Sequence, residues 1–578
     1  MQAFFLPHLN ITVSIFVLMK IFLAQQNYHI GNFEANTEKI IAAIRKAKQL
    51  GGDLIVFTEL AVCGYPPRDF LEFNDFIEQC DIAIDKIRKE ADIIGVIIGA
   101  PTRNDSPGGK DLYNSAYLLH NEQVKGIVHK TLLPTYDIFD EYRYFEPADS
   151  WNVLEFNGKC IALTICEDIW NLGNNPQYKI CPMDKLMEQR PDVMINISAS
   201  PFDYLHAEGR MSMIKQNVAK YKLPLIYCNT VGSQTEIVFD GGSLAMDIHQ
   251  NIVCQLPYFE EALQCITLKD DRSFDETHIK TAAQVPTIEL MPDNFDDDYD
   301  IDEIHDALIL GIRDYFQKMG FSKAIVASSG GIDSAVVLAL ACSALGASNV
   351  RALLMPSEYS TQHSVSDAQQ LSKNLNNHYD ILPIKDIFDT YRHTLEPVFK
   401  GMPFNVAEEN LQSRIRGALV MALSNKFGSI LLNTSNKSEL ATGYGTLYGD
   451  MAGGLGVLGD VYKMQVYALA RYINRNSEII PVNIINKAPS AELRPNQKDS
   501  DSLPEYDILD PILYQYIECR KGPKEIIDMG FDATLVNRIL RLVNMNEYKR
   551  NQFCPIIRVS PKAFGIGRRV PIVGKYLS

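Results

Sequence analysis

What this chain lacks narrows it first. Its eleven cysteines are an odd number and include no Cys-x-x-Cys pair, which excludes a disulfide framework and the common zinc spacing. Reduced thiols in a cytoplasmic protein are the expectation. Positive charge is scarce: 55 Lys and Arg face 71 Asp and Glu, a formal net charge of -16, which argues against a nucleic-acid partner held mainly by electrostatics. The apolar run at residues 11–19 is too short to span a bilayer, and no basic segment precedes it as a secretory signal requires. The expectation is no membrane partner. What is there, 578 residues at 46% hydrophobic and 22% charged, reads as a globular chain of two or more domains, each able to bury a core.

One stretch organises the rest. Ser328-Ser329-Gly330-Gly331-Ile332-Asp333-Ser334-Ala335 follows an apolar run, Ala324 to Ala327, that suits a buried strand, and opens onto Val336 to Leu345, which reads as a helix ended by Gly346. A strand, a Gly-rich turn and a helix make an anion site, because glycines let the backbone approach a phosphate and the helix N-terminus aims free N–H groups at it. It lacks the terminal lysine of a Walker loop. The Ser-Gly-Gly-x-Asp-Ser pattern instead resembles the pyrophosphate loop of ATP pyrophosphatases, which split ATP into AMP and pyrophosphate while adenylating a substrate. In such a loop Asp333 stands where Mg²⁺ bridges to the phosphates.

Earlier in the chain, strands alternate with amphipathic helices from residue 20 to about 270. Met19 to Gln25 reads as a first strand, Asn36 to Leu50 as a helix closed by Gly51-Gly52, and Leu54 to Phe57 and Ile93 to Gly99 as buried strands. Three segments put chemistry at strand ends, where an α/β sheet gathers its site. These are Phe57-Thr58-Glu59-Leu60, His129-Lys130-Thr131, and Leu163-Thr164-Ile165-Cys166-Glu167-Asp168. Singly each has a bland reading: Glu59 a capping charge, Lys130 a surface cation, Cys166 a small core residue. Together they resemble the nitrilase superfamily, whose Glu-Lys-Cys triad hydrolyses amides and nitriles. A thiol attacks an amide only as thiolate, so Cys166 needs a base and a nearby positive charge to lower its effective pKa. Glu59 would take the proton, and Lys130 would stabilise the oxyanion.

The resemblance implies more. Tyr136-Asp137-Ile138-Phe139-Asp140-Glu141 is similar to the segment of glutamine-hydrolysing members in which the tyrosine contacts L-glutamine and the glutamate, here Glu141, supports the lysine. Asn196 to Pro201 resembles a second substrate segment, with Ser200 on glutamine. Six residues later, where that family carries Lys or Arg, stands His206, and the glutamine-carboxylate contact is the point of departure.

In the C-terminal half, Glu409 to Arg416 opens a helix that brings Asn410, Arg414 and Gly417 together by i, i+3/i+4 spacing. Leu431 to Asn433 is a buried strand running into a polar turn, and Thr442 to Asp450 is too Gly-rich for a regular element. With the pyrophosphate loop, these segments are similar to NAD synthetases, which adenylate the nicotinate carboxylate of deamido-NAD⁺ and let ammonia displace AMP. Carried over, Ser328 to Ala335, Thr434 and Lys463 contact ATP. Asp333 and Glu439 hold Mg²⁺. Asn410, Arg414, Glu439, Asp450 and Lys562 contact deamido-NAD⁺, and Ser490 lies by the nucleotide.

The resemblance implies an N-terminal nitrilase-like α-β-β-α sandwich at residues 19–270. It also implies an acidic linker at 271–300 and a Rossmann-like adenine-nucleotide alpha hydrolase domain at 301–578, with an extension at 1–18. It implies a glutamine-hydrolysing carbon–nitrogen ligase, an internal ammonia tunnel and a homo-oligomer. Two alternatives stay open: an ATP-pyrophosphatase amidotransferase acting on another nucleotide or on tRNA, and a catalytically silent assembly protein on the same scaffold.

Overall fold

Successive residues of the first strand, Met19–Gln25, feed two different cores. Ile21 and Leu23 pack between two sheets, while Phe22 and Ala24 pack under helices on the outer face. Leu54, Ile55, Val56 and Phe57 repeat the alternation. Because strand side chains alternate with period two, a strand apolar on both faces must be buried on both. That condition defines a layered domain.

The computed structural model describes residues 18–172, 177–275, 295–296, 300–495 and 497–577. The expected N-terminal extension and most of the acidic linker lie outside the described residues. One six-stranded sheet runs in the order Ala262–Leu268, Met19–Gln25, Leu54–Val56, Gly95–Arg103, Leu112–His120, Gln123–His129. The other runs Ile252–Gln255, Leu244–Met246, Leu225–Asn229, Val193–Ser198, Lys159–Ile165, Leu154–Phe156. Helices Phe33–Gln49 and Asn74–Glu90 cover the first sheet, and Pro182–Met187 and His206–Tyr221 cover the second. The result is the expected α-β-β-α sandwich.

The C-terminal half is built on a five-stranded parallel sheet, ordered His378–Ile381, Val350–Leu354, Ala324–Ala327, Ile430–Asn433, Leu455–Gly456. Strand order reverses direction between Ala324–Ala327 and Ile430–Asn433. A crevice opens at the carboxyl ends of the strands at such a switch point, which is where open α/β sheets bind ligands. Helices Ile301–Met319 and Ile332–Leu345 pack on one face, and Lys385–Phe399 and Val406–Phe427 on the other. This is the Rossmann-like layering the sequence predicts.

The expected strand Ile93 to Gly99 is Gly95–Arg103 and the expected helix Asn36 to Leu50 is Phe33–Gln49, and three further differences bear on the C-terminal site. The helix after the Gly-rich turn starts at Ile332, not Val336, because Gly331 is its N-cap and the second half of the octet is already helical. The helix carrying Asn410 starts at Val406, where Asn405 and Glu408 form a capping box. The polar turn after Asn433 contains a short helix, Lys437–Thr442, capped by Asn436, which places Glu439 in its first turn.

The two halves share a core. Phe202, Tyr204, Leu205, Val231 and Val238 of the sandwich join Ile304, Leu308 and Val559 in one apolar cluster. Backbone bonds cross the seam, Tyr204 N to Val559 O at 3.0 Å and Arg558 N to Glu236 O at 2.8 Å. The buried Arg558 guanidinium meets Asp137 at 3.0 Å, Asp203 at 3.2 Å and Phe202 O at 3.0 Å. Among the described residues no helix is long and apolar enough to cross a membrane.

Strand Gly95–Arg103 passes directly behind Glu59. A Cβ at Gly99 would lie 2.6 Å from Thr58 O and 2.8 Å from the carbonyl carbon of Glu59, and would also strike the backbone nitrogen of Leu60. Gly99→Ala must therefore displace the Glu59 backbone. Since a misplacement of about 1 Å costs on the order of 100-fold in rate, any chemistry that depends on the Glu59 carboxylate is expected to fall by about that factor in this variant, measured as steady-state turnover.

Candidate active sites

Glu59, Lys130 and Cys166 each stand just past the end of a strand, and the facing sheets turn them toward one another. Lys130 is 0% exposed and Glu59 1%. The Lys130 ammonium meets Glu59 Oε1 at 2.8 Å and both oxygens of Glu141, at 2.7 and 2.9 Å. Asn114 Nδ2 donates to Glu59 Oε1 at 2.7 Å and to Glu141 Oε2 at 3.3 Å, and Tyr65 OH to Glu141 Oε1 at 2.8 Å. Ala199 N donates to Glu59 Oε2 at 2.9 Å. Three donors therefore hold the Glu59 carboxylate. Burial disfavours the Lys130 ammonium, but Glu141 and Glu59 outweigh it and hold its pKa well above the ordinary lysine range. Burial pushes Glu141 up to about 7, with Lys130 pulling against it.

Cys166 heads the 3₁₀ turn Cys166–Ile169 with φ +45°, a left-handed conformation that is costly for a residue with a Cβ. Its thiol is within electrostatic reach of Glu59, Lys130, Glu167 and Glu141. Burial, reinforced by Glu59 and only partly offset by Lys130, holds it well above the usual thiol range. This corrects the expectation of a lowered pKa. The direction of this shift favours the protonated thiol at Cys166.

The surrounding segments behave unevenly. Tyr136, half-exposed at the rim, bonds both oxygens of Glu167 at 3.0 Å, and Tyr178 OH joins them at 3.1 Å. Ser200 Oγ pairs with His206 Nε2 at 2.8 Å, and the His206 ring stacks on Trp170 at 5.2 Å between centroids. Burial, with Arg210 adding, depresses His206 to about 3, so its ring is neutral where Lys or Arg would be charged. Asn114, Tyr65 and Asp168 were not singled out from sequence. Asp168 accepts from the backbone of Thr131, Leu132 and Ile165 at 3.0, 2.9 and 3.1 Å, fixing the Lys130 and Cys166 strand ends to each other. An Asn-Ser pair inside the otherwise apolar strand Leu112–His120 was the available signal for Asn114.

The second site is a cavity of about 700 Å³ at the switch point of the parallel sheet. Ser328, Ser329, Gly331, Ile332, Asp333 and Ser334 line it, with Thr434 and Lys463. Gly330 and Ala335 do not line it: Gly330 packs on Ser364, and Ala335 is 1% exposed under the helix. Lys463 Nζ meets Asp333 at 2.6 Å and Glu439 at 3.6 Å, while Asn436 Nδ2 donates to Asp333 at 2.8 Å. Burial and the neighbouring Asp333 raise Glu439 to about 8.

Farther along the cavity, Asn410 Oδ1 accepts from Thr446 Oγ1 at 2.8 Å, Asp450 Oδ1 from Thr446 N at 2.6 Å, and Leu447 O from Arg414 Nε at 3.3 Å. Ser490 lies at the cavity wall, bonding Gln497 O at 2.6 Å. Lys562 is the exception. It points away from the cavity, toward Asp137 of the sandwich at 3.3 Å, because Arg558 to Lys562 run along the seam between the halves. Lys549 does line the cavity, as Lys463 and Lys487 do, and is bonded to Gly443 O at 2.7 Å and Gly445 O at 2.9 Å.

A buried Cys-Glu-Lys centre on an α-β-β-α sandwich, beside a Gly-rich anion loop at a parallel-sheet switch point, defines a two-site enzyme: an amide hydrolase joined to an ATP pyrophosphatase. The comparisons agree in both halves. Residues 20–272 match the carbon-nitrogen hydrolase family, and 304–553 match NAD synthase. The chain is 44% identical to a glutamine-dependent NAD(+) synthetase of Synechocystis sp., spanning 96% of this chain and 98% of that one. It is 39% identical to one from Thermotoga maritima, spanning 96% and 99%. The solved structure of a glutamine-dependent NAD+ synthetase from Acinetobacter baumannii in complex with ADP superposes with a TM-score of 0.74 at 37% identity, covering 96% and 99%. This chain belongs to the glutamine-dependent NAD(+) synthetase family.

The depressed pKa of His206 has a sign that can be measured. Unfolding restores an ordinary imidazole near pH 6.5, so between that value and about 3 the unfolded chain binds more protons and stability falls as pH is lowered. His206→Gln should flatten this acid-side loss between pH 6.5 and 5 in denaturant titrations. An unchanged slope would contradict a neutral ring.

Proposed function

We propose that this chain makes NAD⁺ from deamido-NAD⁺, L-glutamine, ATP and water, releasing L-glutamate, AMP and diphosphate, with Cys166 and Asp333 at its two reacting centres. The observation that carries the reading is the pairing within one chain of a thiol-carboxylate-lysine centre with a cavity lined by Ser328, Ser329 and Asp333.

At the first centre Cys166 Sγ attacks the glutamine amide carbon as its proton passes to Glu59, a carboxylate already held by three donors. Lys130 balances the negative charge that builds on the carbonyl oxygen. The proton on Glu59 goes to the leaving nitrogen, ammonia departs, and a glutamyl thioester remains. Glu59 then activates water to release glutamate. Tyr136, Ser200 and His206 orient the glutamine, and Glu141 keeps Lys130 in place. With His206 neutral, its part is a hydrogen bond and not an ion pair.

At the second centre the deamido-NAD⁺ carboxylate displaces pyrophosphate from ATP, giving an acyl adenylate that ammonia converts to the amide with loss of AMP. The anion loop, Thr434 and Lys463 take the ATP. Asn410, Arg414, Asp450 and Lys549 line the path for deamido-NAD⁺, with Lys549 in the part expected of Lys562. Asp333 and Glu439 suit Mg²⁺: both carboxylates flank one ammonium in the cavity, and this ion takes one or two carboxylates plus substrate oxygens. When bound, it would neutralise charge on the polyphosphate.

The two halves share a core, so ammonia passing inside the molecule would avoid protonation in bulk water. Self-association is part of the reading. Val398, Met402 and Val406 are 70%, 72% and 63% exposed along one stretch that suits a second copy. Eleven cysteines with no disulfide among them accord with a reducing, cytoplasmic setting.

The test compares glutamine and ammonium as nitrogen donors, with deamido-NAD⁺ and Mg-ATP, in wild type and Cys166→Ala. Wild type should use both and the variant only ammonium, with glutamine-dependent NAD⁺ formation down by at least about 1,000-fold for loss of a nucleophile. Failure of both proteins with both donors overturns the reading.

A further inference from the structure

The nucleotide cavity contains an anion site that the chain fills with its own carboxylate. Glu492 lies at the N-terminus of helix Gln362–Leu375, where Thr361 is the N-cap. Its Oε2 accepts from Thr361 N at 3.3 Å, and its Oε1 from Thr361 Oγ1 at 3.3 Å and Ser364 Oγ at 2.8 Å. The Lys487 ammonium meets the same Oε1 at 2.6 Å and also touches Ser364 Oγ. Two hydroxyls, a backbone N–H and an ammonium on one carboxylate is the donor set that recognises a phosphate.

The position is as telling as the chemistry. Ser364 is packed on the pyrophosphate loop: a Cβ at Gly330 would strike Ser364 O and lie 2.8 Å from its carbonyl carbon. Ser328, on that loop, is 3% exposed, and its hydroxyl finds no partner among the described residues. Ser328, Ser364, Lys487 and Glu492 all line the cavity. Glu492 holds its place with φ +49°, a backbone conformation that favours glycine and stores strain when a larger residue adopts it. Lys463, meanwhile, is committed to Asp333 and Glu439.

We infer that Glu492 is a placeholder for a terminal phosphate of ATP, and that Lys487, with Thr361 and Ser364, holds the pyrophosphate as it leaves. The inference rests on the synthetase reading of this cavity. ATP displaces the carboxylate, and Lys487 exchanges one anion for another. When the bond from the α-phosphorus to its bridging oxygen breaks, the electron pair stays with pyrophosphate. Lys487 stabilises it by hydrogen bonding, without net proton transfer. Lys487 is thus a catalytic residue for adenylation, and Glu492 sets the affinity of the empty site.

The two side chains predict opposite signs, which a bracing role does not. In the full-length chain, inorganic pyrophosphate and α,β-methylene-ATP are titrated calorimetrically against wild type, Lys487→Met, Lys487→Arg and Glu492→Gln, alongside ATP kinetics with ammonium as donor. Lys487→Met should weaken both ligands by about tenfold or more, the worth of one hydrogen bond to a charged group, and lower kcat without raising the KM for deamido-NAD⁺. Lys487→Arg should recover most of the binding. Glu492→Gln should tighten pyrophosphate, because the internal competitor has lost its charge. If Glu492→Gln weakens pyrophosphate as Lys487→Met does, or if Lys487→Met leaves its affinity unchanged, the inference is overturned. A wild-type chain that makes no NAD⁺ from ammonium sinks the synthetase reading instead, and the pyrophosphate titration still reports on this site.

Discussion

Much of this molecule depends on keeping one lysine charged where water does not reach. Lys130 is fully buried between Glu59 and Glu141, and removing one member of such a cluster strands a charge at a cost of about 3–5 kcal/mol. Its partners come from distant parts of the chain. Glu59 follows one strand, Lys130 another, and Glu141 a loop beyond it, with Asn114 from a fourth segment bridging the two carboxylates. The sandwich brings these strand ends together, and the cluster in turn specifies how they meet. Asp168 extends the same logic to Cys166 by taking three backbone N–H groups.

The C-terminal half repeats the device. Lys463 lies between Asp333 and Glu439, and Lys437 between Asp460 at 2.9 Å and Glu518 at 2.6 Å. Lys437 also donates to Ser560 Oγ and to Lys562 O, in the segment that runs along the seam. That segment carries Arg558 and Lys562, which both grip Asp137, the neighbour of Tyr136 at the glutaminase rim. Charge pairs therefore hold the helix that carries Glu439 to the seam segment, and the seam segment to the loop that carries Tyr136. The placeholder carboxylate Glu492 is a related solution, a charge pair built to be broken by the substrate.

The fold was legible where local signals agree with burial. The strands Met19–Gln25 and Ala324–Ala327 read directly from their apolar runs. Glu59, Lys130 and Cys166 were legible through strand ends and family resemblance. What escaped depends on three-dimensional neighbours. Asn114 and Tyr65 have no motif of their own and act only because Glu141 folds onto them. The raised pKa of Cys166 follows from its burial, which no residue type announces. Lys562, carried over by family resemblance alone, meets Asp137 at the seam, while Lys549 lines the cavity, a placement no local signal announces. Lys487 and Glu492, five residues apart, read as ordinary loop charges until Ser364 and Gly330 are seen beside them.

In the proposed reaction the nitrogen freed at Cys166 is the nitrogen delivered to deamido-NAD⁺ within the same molecule. The most direct measurement supplies glutamine labelled with ¹⁵N at its amide in the presence of excess unlabelled ammonium, and reads the isotope in the carboxamide of the NAD⁺ formed. Product carrying almost entirely ¹⁵N is the predicted result. Product whose label matches the bulk ammonium pool would contradict it, and would make the two halves independent enzymes that happen to share a chain.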